Sequence, residues 1–209
     1  MKKHFMYEEW ERCKHGGVVN ISKHMGENRK NLRRVVTSIG VNLFKMTKNG
    51  GIVNISLPVV VFKKESHLQS IAKNFSYAPI LLDRPHQDAF ERFKQCILFP
   101  VSVANLGISG EKPFNPILGE TMQGMIAGCP VYIEQISHHP PISAYYFQGR
   151  TFKLHGIIEP KIGLYSLNSG KCWTEKPTTI EFEDGTTILV SNPKMIIKGL
   201  IFGDREFHY

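Results

Sequence analysis

From Gly119 onward the chain is a succession of short alternating or β-branched segments divided by turn residues, and this texture limits the possible fold more than any other feature. Segments 120–127, 130–137, 142–149, 151–159, 178–183, 186–191 and 194–202 read as strands. Strands this evenly spaced and this closely joined pair antiparallel and curl toward a barrel. Asp184-Gly185 joins two of them at two-residue spacing, the strongest local hairpin signal. Met195, Ile196, Ile197, Leu200, Ile201 and Phe202 build the last strand, which is left with nothing following to pair with it. An unpaired apolar strand invites aggregation, so the 209-residue chain is expected to be part of a longer protein, or to need a partner to close it.

Ahead of the strands the period is helical. Residues 66–75 carry Leu68, Ile71, Ala72 and Phe75 on one side. Asp83 can cap a longer helix with Pro85 in its first turn, an apolar stripe of Ala89, Phe90, Phe93, Cys96 and Ile97, and Pro100 to kink or stop it. Further upstream, Leu32, Val35, Val36, Ile39 and Leu43 recur at spacings of three and four, flanked by Arg29, Lys30, Arg33, Arg34, Lys45 and Lys48. Residues 31–46 are therefore a basic amphipathic helix, either a membrane-surface contact or a core helix with a solvated basic face. Residues 1–30 are polar and broken by Gly16-Gly17 and Gly26, and read as disorder or a short helical arm. The fold class expected is α+β: a helical layer over 63–105, packed on a curved antiparallel sheet drawn from 117–209.

A hydrophobic share of 42% is enough for one sizeable core. Cys13, Cys96, Cys129 and Cys172 make neither a Cys-x-x-Cys nor a zinc spacing, so free thiols are expected, with no metal and no cofactor. No signal peptide is visible at the N-terminus, and the longest apolar run, 56–62, is too short to span a bilayer. A soluble, cytoplasmic protein follows. The net charge of +8 calls for an anionic partner, and residues 1–64 hold 13 of the 26 Lys and Arg against four acids. Nucleic-acid motifs are missing, which leaves an acidic membrane surface and a peripheral association with it.

The most particular stretch is Glu134-Gln135-Ile136-Ser137-His138-His139-Pro140-Pro141. Successive strand side chains face opposite ways, so the two imidazoles can share a ligand only where the ladder breaks, and Pro140 supplies that break. The alternative is a strand leading into a Pro-Pro corner with solvated histidines. Ser137-His138 suggests a small serine hydrolase, yet no Gly-x-Ser-x-Gly elbow exists and no acid is placed to orient the imidazole. A metal would need a third ligand at a recognisable spacing. Phosphate recognition suits the residues better. Imidazole titrates near pH 6.5 and a nearby phosphate favours its protonated form, while Lys112 adds a point charge and Asn115 an amide donor.

This run resembles the fingerprint of the oxysterol-binding protein family, Glu-Gln-Val-Ser-His-His-Pro-Pro, differing only at Ile136. Upstream, Lys112-Pro113-Phe114-Asn115-Pro116-Ile117-Leu118-Gly119-Glu120 is similar to the family's second signature, in the right order and at about the usual distance. The resemblance reaches from roughly Leu32 to the C-terminus and implies a partial lipid-binding domain, non-enzymatic, whose sheet forms part of an incomplete β-barrel lipid tunnel. By the same resemblance, His138, His139, Lys112 and Asn115 hold the headgroup of phosphatidylinositol 4-phosphate at the tunnel mouth. Sterol or another phospholipid, such as phosphatidylserine, is the counter-cargo, and residues 31–46, with Leu32, Arg33, Arg34, Val35, Val36, Ile39 and Leu43, correspond to the lid. Pro113 and Pro116 set the loop that aims Lys112 and Asn115, while Glu120 and Glu134 either fix it through backbone bonds or stand as solvated strand-end acids. A phosphoinositide-binding scaffold without transfer is the alternative within this class.

Overall fold

The computed structural model describes residues 19–20, 62–84, 88–106, 112–166, 168–199 and 206–208. Most of the polar arm, and the whole segment 31–46 with its lid-like residues, lie outside the described residues. The chain divides into two units, Phe62–Lys161 with Cys172–Lys194, and Met1–Val61 with Ile162–Lys171 and Met195–Tyr209. The elements in chain order are β1 (Val19–Asn20), β2 (Phe62–Ser66), α1 (His67–Asn74), α2 (Ala78–Leu82), α3 (Ala89–Leu106), β3 (Lys112–Phe114), β4 (Thr121–Ile126), β5 (Cys129–His138), β6 (Pro141–Gln148), β7 (Phe152–Ile158), β8 (Lys161–Ser166), β9 (Ser169–Trp173), β10 (Thr178–Phe182), β11 (Thr187–Val190), β12 (Met195–Lys198) and β13 (Glu206–His208). No helix among the described residues is long and apolar enough to cross a membrane.

The unit built on Phe62–Lys161 holds a six-stranded antiparallel sheet in the order β11-β10-β7-β6-β5-β4, and beside it β2 and β3 paired in parallel. Alternation decides which face of the sheet is covered. Along β5, Val131, Ile133 and Gln135 are buried while Tyr132, Glu134 and Ile136 are exposed. Against the covered face pack Leu68, Ile71 and Ala72 of α1, Phe75 just beyond it, Ala78 and Leu82 of α2, and Cys96 and Phe99 of α3. Phe75 is the hub: its ring meets Phe99, Tyr145 and Phe147 at centroid distances of 6.5, 5.2 and 6.0 Å. Each large apolar side chain so removed from water contributes about 1.5–3 kcal/mol. The architecture is α+β with antiparallel sheets, and among the described residues the sheets stay open and form no closed barrel.

Helix α1 starts where Ser66 caps it. The Ser66 hydroxyl accepts from the Leu68 N–H at 3.1 Å, and the Gln69 side chain accepts from the Ser66 N–H at 2.9 Å, a capping box. Asp88, not Asp83, opens α3, accepting from the N–H groups of Phe90 and Glu91, both at 2.9 Å. Asp83 is engaged elsewhere, receiving the Thr151 N–H and hydroxyl at 2.9 Å each and so pinning the end of α2 to the β6–β7 turn. The expected apolar stripe of α3 also needs correction. Phe90, Phe93 and Ile97 are exposed, and the buried face is carried by Cys96, Phe99 and the partly buried Val103, the row that meets the core. The helix runs through Pro100 to Leu106 rather than stopping there.

Two strand-end readings are revised as well. The β10–β11 connection has four residues, 183–186, with the Phe182 N–H donating to the Thr186 carbonyl at 2.9 Å, and Gly185 takes the left-handed φ of 83° that this loop requires. In the other unit, β12 does not lack a partner. It pairs antiparallel with β13, with Ile197 opposite Phe207, and β13 pairs in turn with β1, in a sheet ordered β1-β13-β12-β9-β8.

Candidate functional site

The two motif segments are neighbours because β4 and β5 are. The Gly119 N–H donates to the Gln135 carbonyl at 2.9 Å, and the Gln135 N–H donates to the Glu120 carbonyl at 3.0 Å. Between Phe114 and Thr121 the chain turns tightly. The Glu120 N–H donates to the Ile117 carbonyl at 3.1 Å, the Glu120 carboxylate accepts from the Ile117 N–H at 3.1 Å, and Gly119 supplies a φ of 79°. Glu120 is thus a loop-fixing residue. Glu134 instead stands exposed on the outer face of β5.

Within the loop Lys112 turns its ammonium onto Asn115. Its Nζ donates to Asn115 Oδ1 at 2.6 Å and to the Pro113 carbonyl at 3.3 Å, and lies 4.9 Å from the Phe62 ring centroid, which itself stacks on Phe114 at 5.0 Å. Burial pushes the Lys112 pKa below its ordinary value. Among the described residues no carboxylate pairs with Lys112, so a half-desolvated cation is left open to an anion.

A break in the ladder presents the histidines. Gln135 faces Ser143 and Ser137 faces Ile142, so Ile136 is the extra residue of a β-bulge, and pairing ends at His138–Pro141. The bulge is held from inside by Gln135, 1% exposed, whose amide donates to the Ser137 carbonyl at 2.6 Å and accepts the Ser143 hydroxyl at 2.5 Å. Beyond the bulge the His138 and His139 rings lie edge to face, 4.6 Å between centroids, and the following His139–Pro140 bond is cis. The two imidazoles are therefore side by side at a strand end. The break expected at Pro140 begins four residues earlier, at the Ile136 bulge, which alternation alone does not reveal.

Neither His138 nor His139 is hydrogen-bonded to a carboxylate among the described residues, so Ser137 lacks the oriented base that a hydrolase needs. Among the same residues no group of three or more His, Cys, Asp or Glu could hold a metal ion. Cys96, Cys129 and Cys172 are free, and burial raises the pKa of each thiol, which makes them poor nucleophiles.

Four residues of this region were not singled out from sequence. Gln135 could have been found as the polar residue at an inward position of an alternating strand. Phe62 and Phe114 support Lys112 through a parallel pairing that no local pattern announces. His67, at the start of α1, has a buried Nε2 with no hydrogen-bond partner among the described residues.

Known proteins resemble this chain in sequence and in fold. A family model described as oxysterol-binding protein matches residues 42–208. Oxysterol-binding protein 9 of Dictyostelium discoideum is 34% identical over 176 residues, covering 82% of this chain and 40% of that protein. Oxysterol-binding protein-related protein 2 of Mus musculus is 33% identical over 159 residues, covering 71% of this chain and 32% of that protein. The chain thus spans well under half the length of these relatives. Among solved structures, the Osh3 ORD of Saccharomyces cerevisiae in complex with PI(4)P superposes with a TM-score of 0.66 at 25% identity, over 79% of this chain and 46% of that one. The Osh1 ORD in complex with cholesterol gives 0.65 at 26% identity, over 73% and 39%.

Proposed function

The chain belongs to the oxysterol-binding protein family, whose members carry lipids rather than catalyse reactions, and from that premise we propose that it holds part of a lipid-exchange site. Lys112, Asn115, His138 and His139 bind the phosphorylated headgroup of phosphatidylinositol 4-phosphate, and a sterol or another phospholipid is the counter-cargo. The observation that carries this reading is the backbone bonding of residues 119–120 to Gln135. It ties the loop that follows the half-buried Lys112 ammonium to the strand that ends in the adjacent imidazoles of His138 and His139. A cation and imidazoles that pair with no acid among the described residues suit a phosphate.

The solved relatives add support, one having been crystallised with PI(4)P and another with cholesterol. The apolar part of the cargo takes the interior of a barrel that this chain forms only in part. By the family resemblance, residues 31–46 serve as lid and as contact with anionic membrane surfaces, and the protein works in the cytoplasm as a peripheral visitor to membranes. A donor-to-acceptor vesicle assay tests the proposal. Movement of phosphatidylinositol 4-phosphate that depends on the 209-residue chain supports a carrier; binding without movement leaves a phosphoinositide scaffold.

A further inference from the structure

We propose that His67 is a further ligand-contacting residue of this anion site, its Nε2 bonding to the phosphate that Lys112 attracts. The inference rests on the headgroup reading above and adds a residue that neither motif contains.

The placement follows from β2 and β3. Their parallel pairing sets Phe62 opposite Lys112 and Ser66 opposite Phe114, so His67, one residue further, begins α1 beside the edge that carries Lys112 and Asn115. There its Nε2 is buried and makes no hydrogen bond among the described residues. Buried polar atoms are almost always satisfied, and one that is not points to a missing partner, either a ligand or water. Burial, the Lys112 ammonium and the Lys63 ammonium together hold the His67 pKa below its ordinary value, so the ring is neutral at pH 7.

The two cations differ in what they lack. Lys63 is paired with Glu65 at 2.5 Å, whereas Lys112 reaches only amide, carbonyl and ring acceptors among the described residues. An orphan imidazole nitrogen beside an unneutralised ammonium makes a site one anion would complete. A phosphate oxygen would accept from Nε2–H and from Nζ together, and its charge would remove the repulsion that the ring now feels from Lys112.

The test uses the 209-residue chain and three probes: phosphatidylcholine vesicles with and without phosphatidylinositol 4-phosphate, the soluble deacylated headgroup glycerophosphoinositol 4-phosphate, and inorganic phosphate. His67→Phe keeps the ring and removes the nitrogen; His67→Gln restores a donor. The expected result is headgroup binding weakened roughly tenfold in His67→Phe, partial recovery in His67→Gln, and a melting temperature of His67→Phe no lower than wild type, because an unsatisfied buried atom has been removed. Inorganic phosphate that competes as well as the headgroup would identify a free-phosphate site with the same chemistry. In wild type labelled at histidine nitrogen, the His67 Nε2 resonance should move on headgroup addition, which does not depend on any variant folding. If His67→Phe binds as wild type does while His138→Ala with His139→Ala does not, or if that resonance stays fixed, water is the partner of Nε2 and the inference is overturned with the headgroup reading intact. If wild type ignores the headgroup altogether, the headgroup reading falls and this inference with it.

Discussion

The backbone N–H of Gly119 donates to the carbonyl of Gln135 at 2.9 Å, and with the return bond from the Gln135 N–H to the Glu120 carbonyl it joins the Lys112–Glu120 loop to the strand that ends in His138. Gln135 also faces inward, where its amide holds the bulge at Ile136. Backbone and side chain of one residue therefore serve both halves of the candidate site.

Gln135→Ala should leave the Ser137 carbonyl and the Ser143 hydroxyl without their buried partner. A cost of about 2–3 kcal/mol is expected, read as a lower urea midpoint with an unchanged m-value. Headgroup binding should fall further than stability explains, because the bulge that sets His138 and His139 side by side loses its brace. A midpoint within experimental scatter of wild type would contradict the role given to this amide.

Lys112→Met keeps the chain length over Phe62 and deletes the charge. Binding to vesicles containing phosphatidylinositol 4-phosphate should weaken by about 1.5–3 kcal/mol, the range for a hydrogen bond to a charged group. The remaining affinity should depend less steeply on salt. Equal affinity and equal salt dependence in titrations of the two proteins would remove Lys112 from the site.

How much of this could be read in advance follows from which contacts are local. Strand β5 was legible because Val131, Ile133 and Gln135 alternate with Tyr132, Glu134 and Ile136, and α1 because Leu68, Ile71, Ala72 and Phe75 share a helical face. Strands β2 and β3 were not, since Phe62–Ser66 carries Lys63, Lys64 and Glu65 and owes its extended form to a parallel partner far along the chain. Asp83 and Asp88 both precede the same apolar run, and only a bond to Thr151, 68 residues away, decides that Asp83 is not the cap. For the site, the residue types were visible in the two motifs. Their adjacency came from the β4–β5 register, and the open Nε2 of His67 came from packing alone.

Glu65 should make stability depend on pH. Burial pushes its carboxyl up, but hydrogen bonds from Lys63, Lys73 and Ser70 outweigh that and bring the pKa to about 2 from an ordinary 4.5. Because the folded value is the lower one, the stabilisation is fully present above about pH 4.5 and is lost as pH falls toward 2. Lys73 is mostly exposed, so screening limits the contribution to about 1 kcal/mol. Melts of wild type and Glu65→Gln should differ at pH 6 and converge near pH 2; a constant gap across that range would contradict the assignment.

Extraction of phosphatidylinositol 4-phosphate from vesicles by the double variant His138→Ala with His139→Ala is the most direct test of the headgroup site. Both rings sit at a strand end outside the core, so the variant should melt cooperatively at nearly the wild-type temperature. Lost hydrogen bonds to a charged phosphate cost about 1.5–3 kcal/mol each, enough together to abolish extraction at micromolar lipid. Extraction equal to wild type by a folded double variant would show that the two imidazoles do not hold the headgroup.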